Sequence, residues 1–183
     1  MNISVFCGSS SPKNEAYAAA ARELGRRIAE GGHTLLYGGS NLGLMGEVSG
    51  AALAGDGRVV GVIPTLFSEA VIRSQPVTEL VRVSTMAERK EYLIAHSDAF
   101  VALPGGIGTL DEVSEVMVAN QLQHLGKPMV LLNLDGFYDP FLVQLRVMHD
   151  AGFVRKGAET ALHTVASVDE LFRFLAADAA EIS

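Results

Sequence analysis

Cysteine is nearly absent from this chain of 183 residues, where Cys7 is the only one. A single cysteine cannot form an intrachain disulfide and leaves no CxxC pair for zinc or redox chemistry. Cys7 follows an apolar stretch and precedes a glycine, which favours a small buried residue over a nucleophile. The five histidines show no HxxxH or HExxH spacing, and the acidic residues form no calcium-loop pattern. We therefore expect no metal and a reducing compartment.

Positive charge and long apolar runs are also scarce. Fourteen Lys and Arg against 21 Asp and Glu give a formal charge of −7, which makes nucleic acid and anionic membrane surfaces poor partners. Glycine, proline or charged residues interrupt each apolar segment before it reaches the length of a transmembrane helix. The N-terminal apolar stretch is too short for a signal peptide and lacks a basic region before it. We expect a cytoplasmic protein that binds a small molecule.

The apolar residues, 49% of the chain, fall into alternating short runs and helical patterns. The sequence predicts strands over 3–7, 33–37, 59–63, 80–83, 99–103, 129–132 and 162–165. It predicts helices over 15–30, 44–53, 86–96, 109–125, 140–150 and 168–176, and an irregular stretch over 64–78. Apolar strands separated by helices indicate an α/β fold: a Rossmann-like, doubly wound parallel sheet with helices on both faces. Residues 1–183 are expected to form a single domain.

Three glycine-rich turns follow strands of the predicted sheet, at the edge where doubly wound folds bind ligands. They are Gly8–Pro12, Gly38–Gly46 and Pro104–Thr109. Glycines let backbone N–H groups approach a ligand, and a helix N-terminus favours an anion, so the turns indicate phosphate binding. The alternative is tight turns that need glycine only for positive φ. The patterns GxxxxGK[ST] and GxGxxG with its downstream acid are absent, which disfavours triphosphate hydrolysis and dinucleotide binding.

A predicted helix start carries two basic residues. Thr85 and Glu88 have the spacing of a capping box, which explains Glu88 as a structural residue. Arg89 and Lys90 stand in the same first turn, where a cation opposes the helix dipole at a cost of ~0.3–1 kcal/mol unless an anion compensates. A bound phosphate is one such anion. The alternative is a solvated pair of side chains.

A second helix start leaves Glu112 with two interpretations. Thr109 and Glu112 again have the capping spacing, so Glu112 could bond back to the backbone of Thr109. Glu112 could instead point across the cleft, ionised by the helix N-terminus, and orient a ribose hydroxyl or a water for glycosidic cleavage. The residues alone leave both interpretations open.

Taken together, the motifs resemble the LOG ("Lonely Guy") family. The matching segments are Val5–Ser10, Tyr37–Gly39, Gly43–Gly46, Met86–Lys90, Pro104–Glu112, Gly126–Pro128 and Leu131–Tyr138. They cover nearly the whole chain in the family's order. The resemblance implies a Rossmann-like homodimer with cytokinin riboside 5′-monophosphate phosphoribohydrolase activity. Such an enzyme takes a nucleoside 5′-monophosphate and releases free base and ribose 5-phosphate without a cofactor.

The resemblance also implies residue roles. It implies that Arg89 and Glu112 are catalytic, which favours the second interpretation of Glu112. Glu112 would engage the ribose or the attacking water, and Arg89 would stabilise charge as the sugar separates from the base. The predicted substrate-binding residues are Lys90, Gly105, Gly106, Ile107, Gly108 and Thr109, with Ser9 and Gly39 from the other glycine turns.

Two departures from the family pattern affect the base. Ile107 replaces the tyrosine of the PGGYGT motif, and Val118-Ala119-Asn120-Gln121 replaces a Thr-Trp-Ala-Gln stretch. These positions are expected to help shape the base pocket, so the choice between adenine and N6-modified adenine stays open. Similar chains often carry the label lysine decarboxylase, but no pyridoxal-phosphate site is indicated. The alternative function is a nucleotide or molybdopterin carrier that uses the same phosphate site without turnover.

Overall fold

A computed structural model describes residues 1–67, 77–154 and 162–181 of the chain. In these ranges a single parallel sheet has the strand order β4-β3-β2-β1-β5-β6-β7. The strands are β1 (Asn2–Phe6), β2 (Thr34–Tyr37), β3 (Arg58–Pro64), β4 (Glu79–Val83), β5 (Ala99–Ala102), β6 (Met129–Leu132) and β7 (Leu162–Val165). Because β1 pairs with both β2 and β5, the strand order reverses at the centre of the sheet. The predicted doubly wound α/β fold is confirmed.

Helices cover both faces of the sheet. They are α1 (Glu15–Glu30), α2 (Gly43–Ala54), α3 (Met86–His96), α4 (Ile107–Gln121), α5 (Asp139–Asp150) and α6 (Val168–Glu181). Buried side chains of α1, α2 and α6 form one apolar cluster with the sheet, and those of α3, α4 and the segment entering α5 form a second. Within the described ranges, no helix is both long and apolar enough to cross a membrane.

Three helix boundaries differ from the sequence prediction by two residues or more. Helix α4 begins two residues earlier than expected, because Gly106 takes the extended conformation of an N-cap. It ends earlier because Gln123 has a φ of 58° and the Asn120 side chain bonds to the backbone of Lys127. Helix α6 continues beyond residue 176 through alanine-rich sequence that favours helix. Of the predicted irregular stretch, residues 68–76 lie outside the described part of the chain.

Helices α1 and α2 approach each other at a glycine. A Cβ atom at Gly25 would lie 2.2 Å from the carbonyl oxygen of Val48 and 3.0 Å from the amide nitrogen of Ala52. Both atoms belong to the backbone of α2, so no side-chain rotation can relieve the contact. The glycine therefore sets the distance between the two helices that follow β1 and β2, and with it the position of their glycine turns.

We expect Gly25→Ala to destabilise the protein by about 1–3 kcal/mol, the usual cost of overpacking, despite the helix propensity of alanine. Thermal and denaturant unfolding would measure the loss. Gly108→Ala is the matched control, because a Cβ atom there meets nothing within 4 Å and the residue is also helical. Equal stability of the two variants would show that α1 and α2 can separate at no cost.

Candidate functional site

The carboxyl ends of the central strands open into a cavity of about 820 Å³. All three glycine-rich turns contribute to its lining, which also includes Arg89 and Glu112. The volume is within the range of pockets that hold nucleotide-sized ligands. The turns after β1 and β5 are in contact, since Gly8 N donates a hydrogen bond to the carbonyl of Pro104 at 3.2 Å. The reversal of strand order therefore brings the candidate residues to one place.

The Pro104–Thr109 turn leads into α4 with no side chain capping the helix. None of its three glycines has a positive φ, so the interpretation of a turn needing glycine only for φ is wrong here. A Cβ atom at Gly105 would lie 2.1 Å from Thr109 Oγ1, whereas Cβ atoms at Gly106 and Gly108 would meet nothing within 4 Å. Gly105 is required by packing, and the other two leave the start of α4 open. An uncapped, unobstructed helix N-terminus in a cavity is suited to an anion.

Arg89 and Glu112 form a buried ion pair in the cavity wall. Arg89 stands in the first turn of α3 and is 6% exposed, and Glu112 stands on α4 and is 4% exposed. The Nη2 atom of Arg89 donates a hydrogen bond to Glu112 Oε1. The Nε atom of Arg89 is buried and has no hydrogen-bond partner. The arrangement supplies a fixed carboxylate and an unused donor side by side.

Burial raises the pKa of the Glu112 carboxyl above its ordinary value, although the guanidinium of Arg89 opposes the shift. The helix start does not hold this carboxylate as a cap. Thr109 is the third residue of α4, and Glu112 is turned towards Arg89, so the capping interpretation of Glu112 is wrong. A carboxyl with a raised pKa exchanges a proton closer to neutral pH, as a general acid or base requires.

The capping box predicted at α3 is present in a shifted form. Thr85 Oγ1 accepts a hydrogen bond from Glu88 N at 3.1 Å, and Glu88 Oε2 accepts one from Ser84 N at 2.7 Å. Glu88 therefore reaches back to the residue before the N-cap, and its structural role is confirmed.

Two residues of the predicted substrate-binding set do not line the cavity. Lys90 Nζ lies 2.9 Å from Asp111 Oδ2 and 2.7 Å from Glu115 Oε2, which raise its pKa. Gly39 has a φ of 73°, and a Cβ atom there would lie 3.0 Å from that of Ile63, so the backbone and packing both require glycine. The first-turn cations of α3 thus find their compensating anions in carboxylates of α4. A bound phosphate is not needed to explain them.

Ser9, Gly105, Gly106, Ile107, Gly108 and Thr109 do line the cavity. The segment 118–121 contributes no lining residue: Val118 is exposed, and Asn120 is bonded to the backbone of Lys127. Cys7 is buried as expected, and burial raises the pKa of its thiol, which makes it a poor nucleophile. In the described ranges no group of three or more potential metal ligands occurs.

Several lining residues were not predicted from the sequence, among them Tyr17, Met45, Met86 and Phe137. Phe137 lies within a segment that carries the family resemblance, and no motif includes Tyr17. They also share a position in the chain, since each lies shortly after the carboxyl end of a strand or in the start of the helix that follows it. They give the cavity an apolar and aromatic side in addition to its polar one.

A family model described as "Possible lysine decarboxylase" matches residues 45–175. The cytokinin riboside 5′-monophosphate phosphoribohydrolase LOG of Oryza sativa subsp. japonica is 43% identical over 169 residues, 92% of this chain and 70% of the relative. A cytokinin riboside 5′-monophosphate phosphoribohydrolase of Arabidopsis thaliana is 40% identical over 173 residues, 94% of this chain and 81% of the relative.

Among solved structures, a Moco carrier protein from Chlamydomonas reinhardtii has a TM-score of 0.74 and 27% identity, covering 98% of both chains. The fold is therefore shared with proteins that are named as carriers, while the sequence is more similar to proteins that are named as hydrolases. The family model spans more than half of the chain, and both plant relatives match more than nine-tenths of it. On these grounds the chain belongs to the LOG family.

Proposed function

We propose that the protein hydrolyses the N-glycosidic bond of nucleoside 5′-monophosphates, AMP or cytokinin riboside 5′-monophosphates, to free base and ribose 5-phosphate. The observation that carries the proposal is the buried Arg89–Glu112 pair in one cavity with the uncapped N-terminus of α4. The plant relatives named for this reaction are 40–43% identical to the chain. The phosphate of the ligand would bind at the anion site, and its N-glycosidic bond would lie beside a buried carboxylate.

The phosphate is assigned to the start of α4. No side chain caps the backbone N–H groups at the start of α4, residues 107–109 line the cavity, and Ser9 adds a hydroxyl to the same lining. Binding of the phosphate then positions the ribose, because this binding free energy comes from a part of the ligand that is distant from the bond that breaks. Lys90 has no part in this site, since its ammonium is held by two carboxylates outside the lining.

Glu112 is assigned to the chemical step. As the bond from C1′ to the base breaks, positive charge develops on the ribose, and water adds its oxygen to C1′ while the base leaves with the bonding electrons. An ionised Glu112 stabilises that charge or orients the water and takes its proton, and a proton is returned to the departing base so that the neutral free base is released. Arg89 keeps the buried carboxylate ionised and aligned, and its side chain contributes positive charge to the cavity lining. Both side chains are almost fully buried, and charges act more strongly there than in bulk water.

The second candidate is a carrier, favoured by the structural likeness to the Chlamydomonas reinhardtii Moco carrier protein. A carrier needs the anion site and no buried acid–base group. The Arg89–Glu112 pair therefore favours turnover. A homodimer, as the family resemblance implies, is part of the proposal and is testable by sedimentation.

We expect purified protein to release free base from AMP and from isopentenyladenosine monophosphate, detected by chromatography. Adenosine, which lacks the phosphate, should be a poor substrate in both kcat and KM, because binding at the phosphate helps to orient the sugar. Nucleotide binding without base release from any monophosphate would support the carrier instead. If adenosine were cleaved as efficiently as AMP, the anion site would make no contribution to catalysis.

Glu112→Gln should lower kcat on AMP by about 10²-fold or more, the scale of a positioned acid–base group, while AMP still binds. In the wild type, kcat/KM should fall with decreasing pH through a pKa above the ordinary 4.5 of Glu112, because the ionised form is needed and burial raises that pKa. This acid limb should vanish in the variant. Glu115→Gln is the control, one turn further along α4 and outside the lining. A Glu112→Gln enzyme as active as the Glu115→Gln enzyme contradicts the assignment.

Gly106→Val should keep the melting temperature and weaken AMP binding by ~10-fold or more, the loss of about one charged hydrogen bond. The φ of Gly106 is −97° and a Cβ atom there meets nothing, so the fold accepts a side chain that obstructs only the ligand. Gly105→Ala is the contrast, because its Cβ atom would collide with Thr109 and should lower stability. Calorimetry and thermal unfolding measure both. Normal AMP affinity in folded Gly106→Val protein would move the phosphate elsewhere.

A further inference from the structure

The loop between β6 and α5 carries a motif that the proposed chemistry does not use. Its residues 133–139 read Asn-Leu-Asp-Gly-Phe-Tyr-Asp, and we call them the 133–139 loop. The loop is tightly folded, with positive φ values of 51° at Asp135 and 72° at Gly136. A Cβ atom at Gly136 would lie 2.6 Å from Asp139 Oδ2, so the turn closes directly on the start of α5.

Hydrogen bonds and ring packing fix Tyr138 within the loop. Asn133 Oδ1 accepts a hydrogen bond from Tyr138 N at 2.7 Å, and Asn133 Nδ2 donates one to Asp139 Oδ1 at 2.7 Å. The ring of Phe137 packs edge-on against that of Tyr138, with 5.0 Å between centroids. Tyr138 is 1% exposed. Its phenol therefore has one available position.

From that position Tyr138 reaches the entrance of the Pro104–Thr109 turn. Its hydroxyl donates a hydrogen bond of 2.6 Å to the carbonyl oxygen of Leu103, the residue after β5. The next carbonyl, that of Pro104, accepts the hydrogen bond from Gly8 N. Pro104 has no N–H of its own. Two consecutive carbonyls of the backbone entering the turn therefore accept hydrogen bonds. The Leu103 carbonyl is bonded by the 133–139 loop, and the Pro104 carbonyl is bonded by the turn after β1.

The same loop contacts the segment that starts α1. Asn14 Nδ2 donates to Asp135 Oδ2 at 3.2 Å, and the rings of Tyr17 and Phe137 meet edge-on with centroids 5.7 Å apart. Asn14, Tyr17 and Phe137 all line the cavity. The 133–139 loop therefore joins two of the cavity's walls.

We propose that Tyr138 is a positioning residue for the anion site. Its hydroxyl fixes the Leu103 carbonyl, and thereby aims the N–H groups at the start of α4 at the phosphate of the ligand. The inference rests on the proposed function in placing a phosphate monoester at this helix start. N–H groups that are already aligned lose no conformational freedom when the ligand binds, so less binding free energy is lost to ordering them. Without the hydroxyl, the buried carbonyl loses its partner, and a shift of the turn is the way to regain one.

The test is the affinity of Tyr138→Phe for ribose 5-phosphate, AMP and adenosine, measured by calorimetry. We expect ~5–10-fold weaker binding of both phosphate ligands, the scale of about one net hydrogen bond, and unchanged binding of adenosine. Tyr37→Phe is the matched control. Tyr37 is also 1% exposed, its hydroxyl is hydrogen-bonded to Ser49, and it does not line the cavity. It should lose comparable thermal stability and keep its affinity for ribose 5-phosphate.

A second readout needs no ligand. Amide chemical shifts of residues 107–109 should change in Tyr138→Phe and not in Tyr37→Phe. Unchanged phosphate affinity, or an equal loss for adenosine, overturns the positioning role. Wild-type protein that binds ribose 5-phosphate but cleaves no nucleotide refutes the hydrolase while leaving the Tyr138 result standing. Wild-type protein that binds no phosphate monoester overturns both.

Discussion

The buried ion pair between Arg89 and Glu112 is the constraint on which the rest of the site depends. Removing a carboxylate and a guanidinium from water costs several kcal/mol per ion, and one hydrogen bond between them offsets only part of that. The fold tolerates this cost because α3 and α4 hold the two side chains in a nearly fixed geometry. The neighbouring bridges from Lys90 to Asp111 and Glu115 join the same helices in a more exposed layer. Together they fix α3 against α4.

The sheet order supplies the second constraint. Since β1 lies between β2 and β5, the turns that follow these strands must share one rim. Gly8 and Gly105 show how tightly they do so, because a Cβ atom at Gly105 would lie 3.0 Å from Gly8 N and one at Gly8 would lie 3.4 Å from Gly105 Cα. The anion site is thus a product of packing between two turns, with the 133–139 loop bracing it from the other side.

Local patterns predicted the fold well and the site in part. Apolar periodicity and glycine turns are local signals, so the strands, most helix limits and the cavity rim could be read from the sequence. Contacts between residues far apart in the sequence could not be predicted in this way. The spacing of Thr109 and Glu112, for example, is compatible with a helix cap and equally with a Glu112 side chain that contacts Arg89. The first-turn position of Lys90 and the family resemblance pointed to a bound anion, whereas its carboxylate partners stand 21 and 25 residues further on, beyond any helical spacing. The contact of Tyr138 with Leu103, 35 residues apart, left no sequence signal.

The central position of β1 also determines the stage of folding at which the site can form. Its neighbour β5 is far along the chain: Asn2 bonds to Asp98 across 96 residues. Non-local parallel pairing of this kind slows folding, since a long loop must close before any contact rewards it. During synthesis, β1 and β2 can pair early and Leu44 N can bond to the Gly8 carbonyl, but Gly8 N has no acceptor in Pro104 until β5 has emerged. The cavity is assembled late in folding, and until then the apolar edge of β1 is open to other strands.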